Sequence, residues 1–211
     1  MTLEITRRGL MLVLSSPSGA GKTSICKMLL EQEEKLTLSV SATTRTRRLG
    51  EVEGKDYEFI STAEFETRIS KAQFLEYAMV FGHYYGTPSR LLENSLQSGI
   101  DVLFDIDWQG TQQLMAKARQ DVISVFILPP SMKELEKRIF KRAQDTIEVV
   151  TERMSKSANE ISHYLEYDYV IINNDLNQSV QQVQSILRAE RLRRERQAGL
   201  VEFVKRLHSQ L

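Results

Sequence analysis

A short stretch near the start of the sequence carries the residue types that bind phosphate. It runs Ser-Pro-Ser-Gly-Ala-Gly-Lys-Thr over residues 16–23, after an apolar run and before a helix-forming segment. Glycines in such a loop let backbone N–H groups turn toward phosphate oxygens at a helix N-terminus. We interpret it as a phosphate-binding loop rather than a Gly/Ser loop with a chance lysine, although Ser16 stands where glycine is usual. The expected nucleotide contacts are Ser16, Pro17, Ser18, Gly19, Ala20, Gly21, Lys22 and Thr23.

Within this loop two side chains have distinct chemistry. Lys22 can reach the β- and γ-phosphates of a nucleotide, and the hydroxyl of Thr23 is placed to bind Mg²⁺. A later apolar run, Val102–Phe104, ends at Asp105. A carboxylate at that position of a phosphate-loop fold lies beside the loop and can hold Mg²⁺ directly or through water. Asp107 either points the same way as Asp105 or caps the following helix, and the sequence leaves both open.

The elements that must position these residues follow from the apolar pattern. Continuous apolar runs are typical of strands buried on both faces, as in a parallel sheet, and helical segments separate the runs. This alternation predicts an α/β fold with a parallel-sheet core of the P-loop NTPase type. The predicted strands are Leu10–Leu14, Val102–Phe104, Val122–Leu128 and Tyr169–Ile172, and the predicted helices lie around 22–32, 88–98, 109–118 and 178–197.

Two insertions interrupt this alternation. In the first, at 40–87, Asp56–Ile60 and Phe74–Phe81 predict strands, Ser61-x-x-Glu64 predicts a capped helix, and 82–88 predicts turns. This insertion is an α+β lobe. The second insertion is polar and helical, with capping boxes at Ser131-x-x-Glu134 and Asp145-x-x-Glu148. We therefore divide the chain into core (1–39), lobe (40–87), core (88–130), helical insertion (131–160), and core with a C-terminal helix (161–211).

Composition excludes several classes of protein. There are 28 Lys and Arg against 28 Asp and Glu, which argues against a protein that coats nucleic acid. The lone cysteine, Cys26, excludes an intramolecular disulfide and a multi-cysteine zinc site, and it suits a reducing compartment.

No apolar run approaches the roughly 18 residues of a membrane helix. The run after Arg7-Arg8 is too short for a signal peptide. We expect a soluble cytoplasmic protein that binds neither nucleic acid nor membranes.

Several separated segments together are more specific than the loop alone. They are residues 16–22, Ser-Ala-Thr-Thr-Arg-Thr-Arg-Arg at 41–48, Gly-Glu-Val-x-Gly-x-Asp-Tyr at 50–57, Phe-Gly-x-Tyr-Tyr-Gly-Thr at 81–87, Asp-Ile-Asp-Trp-Gln-Gly at 105–110, Phe-Ile-Leu-Pro-Pro-Ser at 126–131 and Tyr-Asp-Tyr at 167–169. In these segments the sequence resembles guanylate kinase over roughly residues 8–190. That resemblance implies transfer of phosphate from ATP to GMP, with Mg²⁺ as cofactor held by Thr23 and Asp105.

For the inserted lobe, the resemblance implies a GMP site. Arg45, Arg48, Tyr57 and Tyr85 would hold the phosphate, Glu76 and Ser41 would bind guanine, and Thr87 and Asp107 would assist. Guanidinium forks and phenols suit a phosphate. A carboxylate at Glu76 suits guanine because the Watson–Crick edge of guanine presents two adjacent donors, whereas adenine presents an acceptor at N1. From the residues alone, Glu76 would instead be a solvent-facing strand residue.

For the helical insertion, the resemblance implies a lid over ATP. Arg138, Arg142 and Arg153 would join Lys22 in stabilising charge on the transferring phosphoryl group, and Asn173 would lie near adenine. From the residues alone, each arginine would belong to a solvated helical face, with Leu135 and Ile139 forming the apolar face of the first helix.

Three further residues depart from the family pattern. Arg47 stands where proline is common, Ala143 lies in a step that usually contains glycine, and Asn174 stands where aspartate is frequent.

The alternative functions are a catalytically inactive guanylate-kinase-like interaction module and a kinase for another monophosphate. The arginine-rich segment 188–196 is expected to be a solvated face or a contact between subunits, so assembly into a homo-oligomer is left open.

Overall fold

The structure is a computed structural model that describes the backbone of residues 5–89, 92–142 and 147–210, and their side chains except those of 141–150 and 152–153. Within these residues the strands are β1 (Met11–Ser15), β2 (Leu36–Leu38), β3 (Ser41–Thr43), β4 (Tyr57–Phe59), β5 (Phe74–Val80), β6 (His83–Pro88), β7 (Asp101–Asp105), β8 (Val122–Leu128) and β9 (Tyr169–Ile172). The helices are α1 (Lys22–Gln32), α2 (Thr62–Ser70), α3 (Leu92–Gln97), α4 (Trp108–Ala118), α5 (Met132–Arg142), α6 (Ile147–Ser162), α7 (Leu176–Arg191) and α8 (Leu200–His208).

The core is a five-stranded parallel sheet in the order β2-β7-β1-β8-β9. All five residues of β1 are buried because helices cover both faces of the sheet. Leu10, Leu12 and Leu14 face α1 and α7, whereas Met11 and Val13 face α3 and α4. The predicted α/β fold class is confirmed, and the four apolar runs form β1, β7, β8 and β9.

A second sheet, in the order β4-β3-β6-β5, lies in the sequence between β2 and α3. It is mixed: β3 pairs in parallel with β4, and β6 pairs antiparallel with β3 and β5. Phe65 of α2 packs between the rings of Phe74 and Tyr84, at centroid distances of 4.4 and 5.0 Å. This aromatic stack forms a small core separate from that of the parallel sheet.

One element of this lobe contradicts the prediction. Residues 82–88 were predicted as turns because they contain Gly82, Gly86 and Pro88, yet His83–Pro88 forms strand β6. The strand is stable there because it pairs on both sides, and only Phe81 and Gly82, with φ of 49° and 77°, form the turn from β5. The short strands β2 and β3 were not predicted either, since three residues give too little periodicity.

The helical insertion contains α5 and α6. The predicted cap of α5 is confirmed: the N–H of Glu134 donates to Ser131 Oγ at 3.1 Å. Leu135 and Ile139 are buried and pack with Met154 of α6, as the apolar face of α5 predicts. The capping box predicted at Asp145 and the departure at Ala143 lie outside the described residues.

The C-terminal part differs from the single predicted helix. α7 begins after its cap, Asp175, ends at Arg191, and is followed by a 3₁₀ turn at Arg194–Arg196 and by α8. Val180, Val183 and Leu187 dock on α1, as their spacing predicts.

The expectation of a solvated arginine-rich face is wrong for two residues of this segment. Arg191 bonds the buried Asp101 and also Glu33, and Arg196 is buried, because this part of the chain packs against the N-terminal ends of the core strands. Among the helices of the described residues, none combines the length and the apolar character needed to cross a membrane.

Candidate active site

The phosphate-binding loop lies between β1 and α1, as predicted. Gly19 and Gly21 have φ of 89° and 105°, in the left-handed region that favours glycine. Gly21 is the N-cap of α1 and has no side chain with which to cap it. The loop therefore presents the N-terminus of α1, where a helix dipole stabilises negative charge.

Lys22 and Asp105 form an ion pair inside this site. β1 and β7 are neighbours, and their register sets Leu14 opposite Asp105. Lys22 Nζ lies 2.6 Å from Asp105 Oδ1 and donates to the carbonyl oxygen of Ile106 at 3.0 Å. Burial opposes the ammonium charge, but the Asp105 carboxylate holds the pKa of Lys22 above its ordinary value. Lys22 is therefore a fixed cation at the mouth of the loop.

Hard oxygen donors lie beside this cation. Thr23 is exposed on the first turn of α1, and the carboxylate of Asp105 is only partly buried. A hydroxyl and one carboxylate fit Mg²⁺, which takes few protein ligands and completes its shell with phosphate and water. Within the described residues, no group of three or more His, Cys, Asp or Glu side chains forms a closed metal cage. Both metal assignments stay predictions.

Asp107 takes the second of the two positions that the sequence left open. It is the N-cap of α4, where Oδ1 accepts from the N–H of Gly110 at 3.0 Å and Oδ2 accepts from Gln109 Nε2 at 3.1 Å. A carboxylate oxygen can accept more than one hydrogen bond. The capping role therefore leaves acceptor capacity for a ligand.

α5 lies directly against the phosphate loop. Arg138 donates to the carbonyl oxygens of Ala20 at 3.3 Å and Asn173 at 3.2 Å, and its Nε donates to Glu134 at 3.2 Å. A Cβ on Gly19 would lie 2.8 Å from Cγ1 of Ile139, so the helix packs where the loop lacks a side chain. The structure therefore places Arg138 at the loop. The side chains of Arg142 and Arg153 lie outside the described residues.

Asn173 is buried beneath the loop. Its Nδ2 donates to the carbonyl oxygen of Ala20 at 2.8 Å, and its Oδ1 accepts from Ser179 Oγ at 3.0 Å. The amide thus supports the loop from below, while the assignment near adenine stays a prediction. Asn174, the departure beside it, is exposed.

Glu160 of α6 was not predicted to take part in this site. Its Oε2 accepts from the backbone N–H of Ser18 at 3.0 Å, and burial raises the pKa of this carboxyl despite that bond. The two residues are separated by 142 positions. No local pattern in the sequence could have paired them.

In the inserted lobe, Arg45 is buried with its charge compensated. It forms two bonds to Glu51, at 2.7 and 3.0 Å, and donates from Nε to Tyr85 Oη at 3.2 Å. Its guanidinium also lies over the ring of Tyr57, 5.4 Å from the centroid. Burial alone would raise the pKa of Glu51, but the bonds from Arg45 and from the N–H of Arg48 lower it. Glu51 was not among the predicted site residues, although it follows the arginine cluster directly.

Tyr57 links this cluster to the phosphate loop. Burial, with a further contribution from the negative charge of Asp105, raises the pKa of Tyr57 to about 12. Lys22 acts on the same phenol in the opposite direction. The structure therefore brings Arg45, Tyr57 and Tyr85 together, and Tyr57 lies within electrostatic range of Lys22 and Asp105. The side chain of Arg48 is exposed at the edge of this group.

Glu76 corrects the interpretation made from the residues alone. It is 2% exposed rather than solvent-facing, because β5 packs that side of the strand against α4. Within the described residues its Oε1 has no hydrogen-bond partner. Burial raises the pKa of Glu76 to about 7, against a hydrogen bond from Thr87 that lowers it. Ser41 Oγ and Thr87 Oγ1 lie 3.3 Å apart, and Thr87 pairs with Glu76 across the β-ladder. A buried acceptor without a partner is suited to bind a donor from a ligand.

The single tryptophan of the sequence lies on α4, the helix that packs against the Glu76 strand β5. Trp108, the first residue of α4, stacks on the ring of His163 with centroids 3.7 Å apart and planes tilted by 9°. His163 begins the 3₁₀ turn after α6 and bonds Glu166 at 2.7 Å. His163 therefore serves to pack against Trp108.

Comparison with known proteins identifies the family. The sequence model described as Guanylate kinase matches residues 8–190. The chain is 58% identical over 207 residues to guanylate kinase of Nitrobacter hamburgensis, covering 98% of this chain and 94% of the relative. It is 57% identical over 203 residues to guanylate kinase of Paramagnetospirillum magneticum, covering 96% and 95%.

A solved structure agrees with the sequence comparisons. The crystal structure of guanylate kinase from Anaplasma phagocytophilum superimposes with a TM-score of 0.82 at 41% identity, covering 96% of each chain. The matched region contains the phosphate loop, the inserted lobe and the helices α5 and α6 of the second insertion. On these grounds the chain belongs to the guanylate kinase family.

Proposed function

We propose that this protein is a GMP kinase, which transfers the γ-phosphate of ATP to GMP and releases ADP and GDP. The observation that carries the choice of acceptor is Glu76, a buried carboxylate whose Oε1 has no partner among the described residues. Guanine offers two adjacent hydrogen-bond donors to such an unpartnered acceptor, whereas the N1 acceptor of adenine would point a lone pair at the carboxylate. A site built to bond a donor discriminates strongly against a ligand without it.

The reaction joins a phosphate oxygen of GMP to the γ-phosphorus of ATP while the bond from that phosphorus to the β,γ-bridging oxygen breaks. Catalysis of this kind rests on positioning and electrostatic stabilisation. Lys22 stabilises the negative charge that develops on the phosphates, and Arg138 contributes from the lid side. Among the described residues, three of the five guanidinium donors of Arg138 have protein partners, which leaves two for phosphate.

Acceptor binding falls to the lobe. In this proposal Arg45, Arg48, Tyr57 and Tyr85 hold the GMP phosphate, and Ser41, Thr87 and Asp107 complete the guanine pocket around Glu76. The ion pair of Arg45 with Glu51 supports this role because it fixes the guanidinium before a phosphate arrives. Arg142 and Arg153 are proposed to join Arg138 as the lid closes.

Mg²⁺ is the proposed cofactor. Thr23 and Asp105 would hold it, and it would neutralise charge on the β- and γ-phosphates. The ion pair of Asp105 with Lys22 sets two charges of opposite sign where the triphosphate would lie.

We further propose a role in purine nucleotide metabolism, a cytoplasmic location, and the division into core, lobe and helical insertion, with residues 131–160 as the lid. The support for the location is the single cysteine.

One assay tests this function. The protein is incubated with ATP, Mg²⁺ and one of GMP, AMP, CMP or UMP, and the products are separated by anion-exchange chromatography. We expect GDP and ADP in equal amounts with GMP and little diphosphate from the others. Turnover of AMP at the same rate would contradict the proposed acceptor. No turnover of any monophosphate would favour the inactive interaction module, which neither the comparisons nor the intact phosphate loop supports.

A further inference from the structure

One face of α4 lies against β5, the strand that carries Glu76. Gly110, Gln113 and Lys117 are spaced by three and four residues, so they share one side of the helix. In the part of the chain that the structure describes, β5 is an edge strand of the second sheet, and no strand neighbours the backbone groups on its outer side. Residues of α4 occupy that side instead.

Gln113 bonds both backbone groups of Tyr77, the residue after Glu76. Its Nε2 donates to the carbonyl oxygen of Tyr77 at 2.7 Å, and its Oε1 accepts from the N–H of Tyr77 at 3.1 Å. The side-chain amide thus replaces the neighbouring strand that the edge of the sheet lacks. Because both bonds reach one residue, they fix its distance from the helix and also its orientation.

The residue before Glu76 is held in the same way. Lys117 Nζ donates to the carbonyl oxygen of Leu75, at the point where the ladder between β5 and β6 shifts register. Glu76 therefore lies between two backbone positions bonded to α4. The irregular register alone would leave its side chain less firmly oriented.

Gly110 provides the space that the carboxylate of Glu76 occupies. A Cβ at Gly110 would lie 2.5 Å from Oε2 and 3.1 Å from Cδ of Glu76. No side chain fits there without moving the carboxylate. Since Asp107 caps the same helix, α4 determines where both carboxylates lie.

We propose that Gln113 is a positioning residue for recognition of the acceptor base. Its side-chain amide fixes Tyr77 against α4 and so holds the carboxylate of Glu76 over Gly110. In that position the carboxylate can accept hydrogen bonds from both donors of guanine. Gln113 acts through Glu76 and touches no substrate. The inference rests on the proposed role of Glu76, and the experiment below separates the failure of one from the failure of the other.

The test replaces Gln113 by methionine, which keeps the length of the side chain but makes neither bond. Steady-state kinetics are measured with GMP and with IMP, which retains N1–H but lacks the 2-amino group. We expect Gln113→Met to raise the KM for GMP about tenfold, with the KM for ATP within about twofold. The ratio of kcat/KM for GMP to that for IMP should fall, because a displaced carboxylate no longer bonds the 2-amino group.

Two further variants make the result specific. Gln112→Met is the matched control: Gln112 is the neighbouring residue of α4 and bonds Glu166 at 2.7 Å, so the KM for GMP and the GMP to IMP ratio should both stay unchanged. Gly110→Ala favours the helix, yet it should also lower the GMP to IMP ratio, since its Cβ meets the carboxylate. If Gln113→Met fails to fold, Gln113→Glu, which loses the donor to the carbonyl oxygen of Tyr77, tests the same inference.

A double-mutant cycle with Glu76→Gln decides between the outcomes. If Gln113 acts through Glu76, Gln113→Met has little further effect on GMP once Glu76 is glutamine. If Gln113→Met leaves GMP kinetics unchanged, or weakens GMP and IMP equally, while Glu76→Gln weakens GMP, the positioning inference is overturned and the role of Glu76 stands. If Glu76→Gln itself leaves GMP unaffected, the proposed role of Glu76 is wrong and the inference falls with it.

Discussion

Lys22 shows how much of the site a single residue carries. Its ammonium is bound between the Asp105 carboxylate and the carbonyl oxygen of Ile106, so it is oriented without any nucleotide contact. We expect Lys22→Met to lower kcat by about 100-fold or more, because a fixed positive charge is removed from the phosphates in the transition state. Circular dichroism should show that the fold is retained. Near-normal turnover would refute the assigned role.

Glu76 predicts a pH dependence of GMP binding. Its folded pKa of about 7 lies above the ordinary 4.5, and only the ionised carboxyl accepts both guanine donors. Affinity for GMP should therefore fall as the pH drops through 7, by up to about tenfold per unit. The phosphate of GMP also titrates near pH 6, so the control is Glu76→Gln, in which only the phosphate contribution remains. Calorimetric titrations at pH 5.5 to 8.5 with the same profile for both proteins would contradict this prediction.

The same pKa shift affects stability with a definite sign. A carboxyl whose pKa is raised on folding favours the folded state when it is protonated. The free energy of unfolding should therefore fall as the pH rises from 4.5 to about 7, and Glu76→Gln should remove that part of the dependence. Urea unfolding at several pH values measures it.

At this scale, the sequence predicts residues whose partners are set by local geometry. Lys22 and Asp105 lie at the ends of neighbouring strands, so their meeting follows from the fold. Glu160 and Gln113 contact backbone atoms of distant segments, and the residues next to them in the sequence give no signal that predicts these contacts. The burial of Glu76 alternates with that of Phe74 and Ala78, but a carboxylate is expected to face solvent, and the helix that covers it comes from another part of the chain.

Among the elements, α5 carries the sharpest consequence for catalysis. It places Arg138 on the carbonyl oxygens of Ala20 and Asn173, beside the phosphate loop. Arg138→Ala should therefore lower kcat by about 100-fold while GMP affinity changes less than about threefold. Lys137→Ala, which removes an exposed charge one residue earlier, should change neither. Calorimetry showing a large loss of GMP binding, with kcat retained, would reject the assignment.

The elements themselves were predicted unevenly. Long buried strands and capped helices were found because periodicity and capping residues are local signals. β6 was missed because its glycines and proline are typical of turns, and only pairing with β3 and β5 makes it a strand. α8 was missed although Leu200, Phe203, Val204 and Leu207 follow the spacing of an amphipathic helix.

Considered as a whole, the molecule is tied together at the N-terminal end of its sheet by Asp101. This buried carboxylate bonds Arg7 at 2.7 and 2.9 Å, Arg191 at 2.7 Å and the N–H of Leu10 at 3.0 Å. It joins the segment before β1, the start of β7 and the end of α7. The parallel sheet was predicted from its apolar runs, but this junction was not, because it depends on where the connections return.

Removing Asp101 should therefore destabilise the protein without affecting chemistry. We expect Asp101→Ala to lower the free energy of unfolding by about 3 kcal/mol, since two arginines and an N–H lose their buried partner. Glu202→Ala, which breaks an exposed pair with Lys205, should cost less than about 0.5 kcal/mol. Urea titrations of both variants compare the two, and equal midpoints would contradict the prediction.

The stack of Trp108 on His163 has a consequence for how this protein can be observed. Trp108 begins the helix that positions the proposed guanine pocket, and His163 follows α6 directly. The emission of an indole changes when the ring lying against it moves away. Because the sequence contains one tryptophan, all such emission comes from this junction. The molecule thus carries a built-in optical reporter, and any movement of α6 relative to α4 can be timed in solution without attaching a dye.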